Sequence, residues 1–275
     1  MPASTRSTRK KARATEAVAT DPLGALSHDE LGVVFDGLAD PLQPVGAVAL
    51  SSTCLGLRTP LQPALAVLKE QHERAKRLCG FIKISCEEMH QLQTFDFALP
   101  DKEPALIYAV ETLGMLMSRW LPRLNYLELE GQGIDDACMQ ALCAQLDVSS
   151  VPRLRLIDFC GNPIGPAGAK ALAETLGRGA LTSAAVLYFD YSEFGPEGLA
   201  ELATPLRKLK NLRFLSLEGC GVGDDGVRSL LDGLGNNDLP VLRTLRLKSN
   251  NITQETRRWA DSTAGHLPNL RRFLC

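Results

Sequence analysis

Apolar residues recur along the second half of the chain with a period far longer than that of a helix or a strand. Successive units start 28 or 30 residues apart, and each carries all or the first part of the pattern L-x-x-L-x-L-x-x-N/C-x-L, in which L stands for an apolar residue. The units begin at Leu121, Val151, Leu181, Leu209, Leu239 and Leu267. An internal repeat of this length predicts a stack of similar structural units.

Each unit contains a strand pattern followed by a helix pattern. Alternating apolar residues, such as Leu127 and Leu129, predict a short strand with one buried face, because side chains alternate across a strand. The segment 164–176 then places Ala169, Leu172 and Leu176 on one face of a helix. The sequence therefore predicts an α/β fold, a right-handed βα solenoid with a parallel concave sheet and outer helices.

Repeats of this length with full helices resemble the ribonuclease-inhibitor-like leucine-rich-repeat proteins. The resemblance covers residues 121–275, and a degenerate first repeat at 92–120 extends it backwards, with a helix expected over 104–120. The whole chain is similar to uncharacterised repeat proteins of unicellular eukaryotes, in which a short helical head precedes the repeats. The resemblance to leucine-rich-repeat proteins implies a module that binds a protein partner and is not an enzyme.

Residues 21–91 have the pattern of an α-helical head. Ser27 and Glu30 have the spacing of a capping box, and four apolar residues then recur at helical intervals. These residues are Leu31, Val34, Phe35 and Leu38. One interpretation of the head is a cap that shields the apolar end of the first repeat, as a solenoid requires.

The other interpretation of the head is an F-box-like segment. The resemblance rests on the run Leu26-Ser27-His28-Asp29, followed at the family's spacing by Val34-Phe35 and then Leu38. It implies that residues 21–60 dock on the adaptor subunit of a cullin-RING ubiquitin ligase, with the repeats holding a substrate. Both interpretations stay open, since one helical segment can serve both roles.

Residues 1–20 are rich in Ser, Thr, Arg and Lys and contain one acid, Glu16, which predicts a disordered basic tail. The patch Arg9–Arg13 is compatible with a nuclear-import signal, a solubilising charge run or an organellar transit peptide. The first 20 residues hold no apolar stretch like that of a secretory signal, and the eight cysteines do not suggest a disulfide scaffold. We therefore expect an intracellular protein, cytoplasmic or nuclear, with free thiols.

Composition argues against several classes of function. The net charge of −2 gives no argument for nucleic acid, and no apolar run is long enough to span a membrane. Gly219–Gly226 resembles a phosphate loop, but it occupies a repeat turn and no Walker lysine follows. None of the four histidines falls in a motif with a nucleophile, and the cysteines and histidines do not form the two closely spaced ligand pairs of a structural zinc site. We expect no cofactor, no metal and no catalysis.

If the leucines point inwards, the residues between them form a concave surface in three columns. The middle column reads Glu128, Asp158, Tyr188, Ser216, Arg246 and Leu274. The column after it reads Glu130, Cys160, Asp190, Glu218 and Lys248. The column before it reads Tyr126, Leu156, Val186, Phe214, Thr244 and Arg272. This surface is acidic with interleaved aromatic residues in its first part and basic in its last units.

The concave surface is the predicted site for a protein partner, because Tyr and Arg are enriched in interface hot spots and an exposed apolar patch is typical of an interaction site. The alternative is a solvated sheet face with no partner. The predicted contact residues are Tyr126, Glu128, Glu130, Asp158, Tyr188, Asp190, Tyr191, Phe214, Glu218, Arg246 and Lys248. Arg271 and Arg272 charge the last strand, so we expect a monomer, with edge-to-edge assembly as the alternative.

Overall fold

The computed structural model describes residues 27–53, 55–235 and 238–275. The predicted basic tail at 1–20, its Arg9–Arg13 patch and Leu26 of the F-box-like run lie outside these residues.

Four helices form the part of the head that the structure describes. The predicted capping box is present: the Ser27 hydroxyl accepts a hydrogen bond from the Glu30 N–H, and the Glu30 carboxylate accepts one from the Ser27 N–H at 2.8 Å. The helices are α1 (His28–Leu38), α2 (Val45–Thr53), α3 (Leu55–Ile82) and α4 (Cys86–Gln91). A small core within the head consists of Leu31, Phe35, Ala47, Leu50, Leu61 and Leu68.

Strands and helices alternate from residue 94 onwards, and seven strands form one parallel sheet in sequence order. The strands are β1 (Thr94–Phe95), β2 (Tyr126–Glu128), β3 (Leu156–Asp158), β4 (Val186–Tyr188), β5 (Phe214–Ser216), β6 (Thr244–Arg246) and β7 (Arg272–Leu274). The helices are α5 (Ala105–Arg119), α6 (Asp136–Ala144), α7 (Pro166–Gly177), α8 (Gly195–Leu206), α9 (Gly223–Gly233) and α10 (Gln254–Thr263). This order confirms the predicted α/β solenoid of strand–helix units.

The core of the solenoid lies between the sheet and the outer helices. The alternating apolar residues of the five complete units are buried, and so are the predicted helix-face residues Ala169, Leu172 and Leu176. Aromatic rings fill the centre of the stack: Phe159 and Phe189 stack with ring centroids 5.8 Å apart, and Phe194 lies 5.2 Å from Phe189. Burial of these apolar faces between neighbouring units is the main force that holds the stack together.

In two units, a buried asparagine joins the turn after the strand to the unit before it. The Asn162 amide donates to the carbonyls of Leu129 at 2.7 Å and Phe159 at 2.9 Å, and its oxygen accepts from the Ile134 N–H at 2.9 Å. Asn250 makes the corresponding bonds nearer the carboxyl end of the stack. This position of the repeat therefore satisfies backbone groups that two neighbouring turns leave without a partner.

Two helices have their first turn completed by the preceding unit. One Asp136 carboxylate oxygen, at the start of α6, accepts hydrogen bonds from the N–H groups of Gly165 and Gly168, both at 2.7 Å. In the same way, Asp224 of α9 accepts from the Thr253 N–H at 2.8 Å, next to α10. The free N–H groups at a helix start need such acceptors.

Neighbouring outer helices approach closely where glycine occupies the first turn. A Cβ atom at Gly226 of α9 would lie 2.9 Å from the Val222 Cβ and 3.1 Å from the Pro196 Cα of α8. A Cβ atom at Gly198 of α8 would lie 3.0 Å from the Ala169 Cβ of α7. The spacing of the helices therefore depends on the absence of side chains at these positions.

The head is attached to the first unit of the solenoid by polar and apolar contacts. The Trp120 indole N–H donates to the Ala39 carbonyl at 3.0 Å, and Arg74 of α3 pairs with Glu111 of α5 at 3.0 Å. Apolar residues of α3, including Leu78 and Ile82, belong to the same buried cluster as the repeats. Helix α3 thus covers part of α5.

Candidate functional site

The sheet brings the predicted concave columns together strand by strand. Tyr126, Leu156 and Val186 are paired neighbours across β2, β3 and β4, and the same register continues to Arg272. Glu128 pairs with Asp158, and Asp158 with Tyr188. The predicted residues that follow the strands at their carboxyl ends are Glu130, Asp190, Glu218 and Lys248. The strand order thus assembles one continuous surface from residues far apart in sequence.

Tyr191 differs from the other predicted contact residues, since it lies in the turn after β4 and not in a strand column. Its backbone has a positive φ of 59°, and its side chain is 62% exposed. The ring lies against Gly219, where a Cβ atom would come within 2.7 Å of the Tyr191 Cδ1. Tyr191 therefore stands at the carboxyl rim of the sheet, supported by the glycine of the next unit.

Carboxylates of the first three complete units dominate the charge of the concave surface. Within the described residues, Glu128 and Glu130 form no ion pair, and Glu130 is exposed. Asp158 accepts a hydrogen bond from the Cys160 N–H and Asp190 accepts one from the Glu218 N–H, both at 2.8 Å. These bonds fix two of the carboxylates in position and leave their charge uncompensated.

An apolar strip runs beside these carboxylates across β2 to β5. Tyr126 is 42% exposed, and Leu156, Val186 and Phe214 are half-buried. The Phe214 ring lies 5.0 Å from that of Tyr188, so each aromatic side chain partly covers the other. Burial, and after it the charge of Asp158, raises the pKa of Tyr188, so its hydroxyl stays protonated at neutral pH and can donate a hydrogen bond.

The last units are less basic than the sequence pattern indicates. The Arg246 guanidinium donates to the Glu218 carboxylate at 2.7 Å, and both side chains are largely covered. The pair joins one predicted basic residue to one predicted acidic residue, so the exposed cations of the predicted columns in this region are Lys248 and Arg272. The acidic character of the surface is therefore concentrated on β2 to β4.

Three observations on the described residues concern metal binding, thiol chemistry and membrane insertion. Within residues 27–53, 55–235 and 238–275, no three His, Cys, Asp or Glu side chains form a group that could hold a metal ion. Burial raises the pKa values of Cys138 and Cys220 to about 12, so both are thiols at neutral pH and not nucleophilic thiolates. None of the described helices combines the length and the apolar character needed to cross a membrane.

One further surface was missed in the sequence analysis. The residues just before the strands include Arg155, Arg213, Arg243 and Arg271, all exposed. The signal that could have revealed them is an arginine that recurs at the same position of several repeats, immediately before the strand. These residues lie at the amino end of the strands, opposite the rim that carries Tyr191.

Comparison with known proteins supports the repeat assignment. A family model described as a leucine rich repeat matches residues 208–231, which include β5 and most of α9. No match to a curated protein was found for the chain. The matched repeat and the seven parallel strands with their outer helices together identify the fold as a leucine-rich-repeat βα solenoid.

Proposed function

We propose that the chain is a non-catalytic module that binds a basic region of a partner protein on the concave surface of β2 to β5. A leucine-rich-repeat solenoid offers an extended concave surface of the kind that repeat proteins use for binding. The observation that carries the proposal is the juxtaposition of uncompensated carboxylates, Glu128, Asp158 and Asp190, with the apolar strip. The carboxylates attract cations, and the strip provides apolar area for burial.

The carboxylates are expected to act mainly on the rate of association. A triple variant, Glu128→Gln with Asp158→Asn and Asp190→Asn, removes three charges and keeps the oxygen atoms that accept the turn hydrogen bonds. We expect partners captured by the wild-type chain to associate with this variant about tenfold more slowly at low salt, because charge steers encounter. Association kinetics at two salt concentrations measure the effect. The difference in association rate between the variant and the wild type should be smaller at high salt.

A matched control removes three exposed carboxylates from the outer helices, Glu174→Gln, Glu201→Gln and Asp232→Asn, none of which forms an ion pair within the described ranges. This variant should associate at the wild-type rate. Equal rates for the concave variant and the wild type, or equal slowing by both variants, would contradict the assignment of the concave surface.

A second candidate function is docking of the head on a ubiquitin-ligase adaptor. The observation that favours it is a set of exposed valines on the first two helices: Val33 is 73%, Val45 77% and Val48 52% exposed. Helices α1 and α2 pack against each other, and exposed apolar side chains on them offer area that another chain can bury. Phe35, one of the residues of the F-box-like pattern, is buried in the core of the head and is therefore not exposed to a partner.

Capture of a purified adaptor subunit by the full chain separates these two roles of the head. If the head docks on the adaptor, the wild type should capture it, and replacement of Val33, Val45 and Val48 by serine should abolish capture. Val148→Ser, at a 70% exposed valine of the solenoid, is the control and should have no effect. Absence of capture by the wild-type chain would contradict docking on the adaptor and favour the interpretation of the head as a cap.

A further inference from the structure

The segments that lead into the strands carry seven cations and no acid. Residues 121–125, 151–155, 181–185, 209–213, 239–243 and 267–271 contain neither Asp nor Glu. One of the cations is Lys210, which pairs with Asp238 at 3.7 Å. The others, here called the arginine rim, are Arg123, Arg153, Arg155, Arg213, Arg243 and Arg271.

The arginine rim is held together by the backbone of the sheet. The Arg155 N–H donates to the Asn125 carbonyl at 2.8 Å, the Arg243 N–H to the Arg213 carbonyl at 2.8 Å, and the Arg271 N–H to the Arg243 carbonyl at 2.9 Å. Residues joined in this way are one strand spacing apart, about 4.8 Å. The fold therefore places cations beside each other at a distance where like charges repel.

The six guanidinium groups are free of counter-charges. All six side chains are exposed, and none forms an ion pair or a side-chain hydrogen bond with another described residue. Elsewhere the chain does pair its arginines, as Arg207 does with Asp238 at 3.0 Å and Arg246 with Glu218 at 2.7 Å. The repulsion along the rim is thus compensated by no carboxylate of the described chain.

A groove follows the part of the rim that contains Arg123, Arg153, Arg155 and Arg213. It has a volume of about 600 Å³ and is lined by Arg153, Arg155 and Arg213 together with small and polar residues. An adjoining groove of about 500 Å³ shares Arg153 and adds Arg123. The polar groups between the arginines are already used, since the Ser183 hydroxyl donates to the Leu154 carbonyl at 2.8 Å and the Asn211 amide to the Thr182 carbonyl at 3.1 Å. The charged donors of the groove are its guanidinium groups.

We propose that the arginine rim binds an extended, carboxylate-rich peptide segment of a protein partner. A guanidinium is planar and forms paired hydrogen bonds with a carboxylate, which a lysine cannot do. Arg155 precedes β3 and Arg213 precedes β5, two strand spacings or about 10 Å apart, which three residues of an extended chain span. Acidic side chains of a short peptide can therefore reach successive arginines along the groove.

Nucleic acid fits this groove less well than a peptide. No aromatic side chain lines either part of it, whereas single strands are bound largely by stacking of bases on aromatic rings. A duplex is much wider than a peptide and would also approach the carboxylates of Glu128 and Asp158 on the adjacent concave surface, which repel phosphates. A narrow acidic peptide can occupy the rim without reaching that surface.

The proposal is tested with the full chain and a fluorescein-labelled octapeptide that alternates aspartate and serine, observed by fluorescence anisotropy. A matched peptide has asparagine in place of every aspartate. We expect the acidic peptide to bind at least about tenfold more tightly than the neutral one, and added salt to weaken its binding. Arg155→Ala with Arg213→Ala should weaken binding about tenfold, because two charged contacts are lost.

Two further variants separate specific recognition from general charge and from loss of folding. Arg155→Lys with Arg213→Lys keeps both charges, so its binding should fall between that of the wild type and the alanine variant. Lys170→Ala with Arg258→Ala removes two exposed cations from outer helices and should bind as the wild type does. The proposal is overturned if the two peptides bind equally or not at all, if the alanine variant keeps wild-type affinity, or if an RNA duplex or phosphatidylserine vesicles bind more tightly than the acidic peptide.

Discussion

Replacement of Asn162 by alanine is expected to lower the free energy of unfolding by about 3 kcal/mol. The amide is fully buried, and its loss leaves the carbonyls of Leu129 and Phe159 and the N–H of Ile134 without their partner. Each unsatisfied buried group costs about 1–3 kcal/mol, and limited entry of water recovers part of that cost. Urea unfolding followed by circular dichroism measures the change.

Gln140→Ala is the control for Asn162→Ala, since it removes an exposed amide from α6 and should change stability little. Asn162→Cys should fall between the two, because Cys220 occupies the corresponding position and donates through Sγ to the Phe189 carbonyl at 3.0 Å. A loss below about 1 kcal/mol for the alanine variant would mean that the buried amide does not hold the turns together.

Gly226→Ala is expected to destabilise the chain by about 2 kcal/mol, while Gly177→Ala is expected to stabilise it by about 0.5 kcal/mol. Both residues belong to outer helices, but a Cβ at Gly226 would press on the Val222 Cβ and the Pro196 Cα, whereas nothing lies within 4 Å of a Cβ at Gly177. The first change overpacks the contact between α8 and α9, and the second removes only the conformational freedom of an unfolded glycine.

Thermal unfolding of the two glycine variants beside the wild type checks both signs in one experiment. The pair is its own control, because the chemical change is identical and only the surroundings differ. Destabilisation of similar size in both variants would show that helix spacing is not set by close approach at Gly226.

The sequence predicts the fold and the columns of the concave surface well, because the determinants lie within each unit. Alternation of apolar residues identifies Leu127 and Leu129 as inward-facing, so Glu128 between them is assigned to the concave surface without knowledge of the rest of the chain. The repeat length then aligns Glu128 with Asp158 and Tyr188, which is the pairing that the sheet has.

Contacts between side chains of two neighbouring units cannot be predicted from the pattern within one unit. The pairing of Arg246 with Glu218 joins neighbouring strands, and the choice between this ion pair and two free charges depends on side-chain geometry. Tyr191 has the residue type of a contact residue, but its position depends on a backbone turn with positive φ. The arginine rim becomes a surface only when strands stack, since the repeat motif itself does not specify the residue before the strand.

The carboxylates of Asp136 and Asp224 make two of the junctions between units asymmetric, because the acceptor belongs to one unit and the N–H group to the next. Each carboxylate belongs to one helix and accepts from N–H groups at the start of the next, so α7, which has no side-chain cap of its own, is completed by a unit that is already in place. Helix α10 combines the Asp224 contact with its own Thr253 cap, and α6 is capped by its own Asp135. At the junction of α6 and α7, order therefore spreads most readily from the amino towards the carboxyl end, which is also the order in which a ribosome delivers the units for co-translational folding.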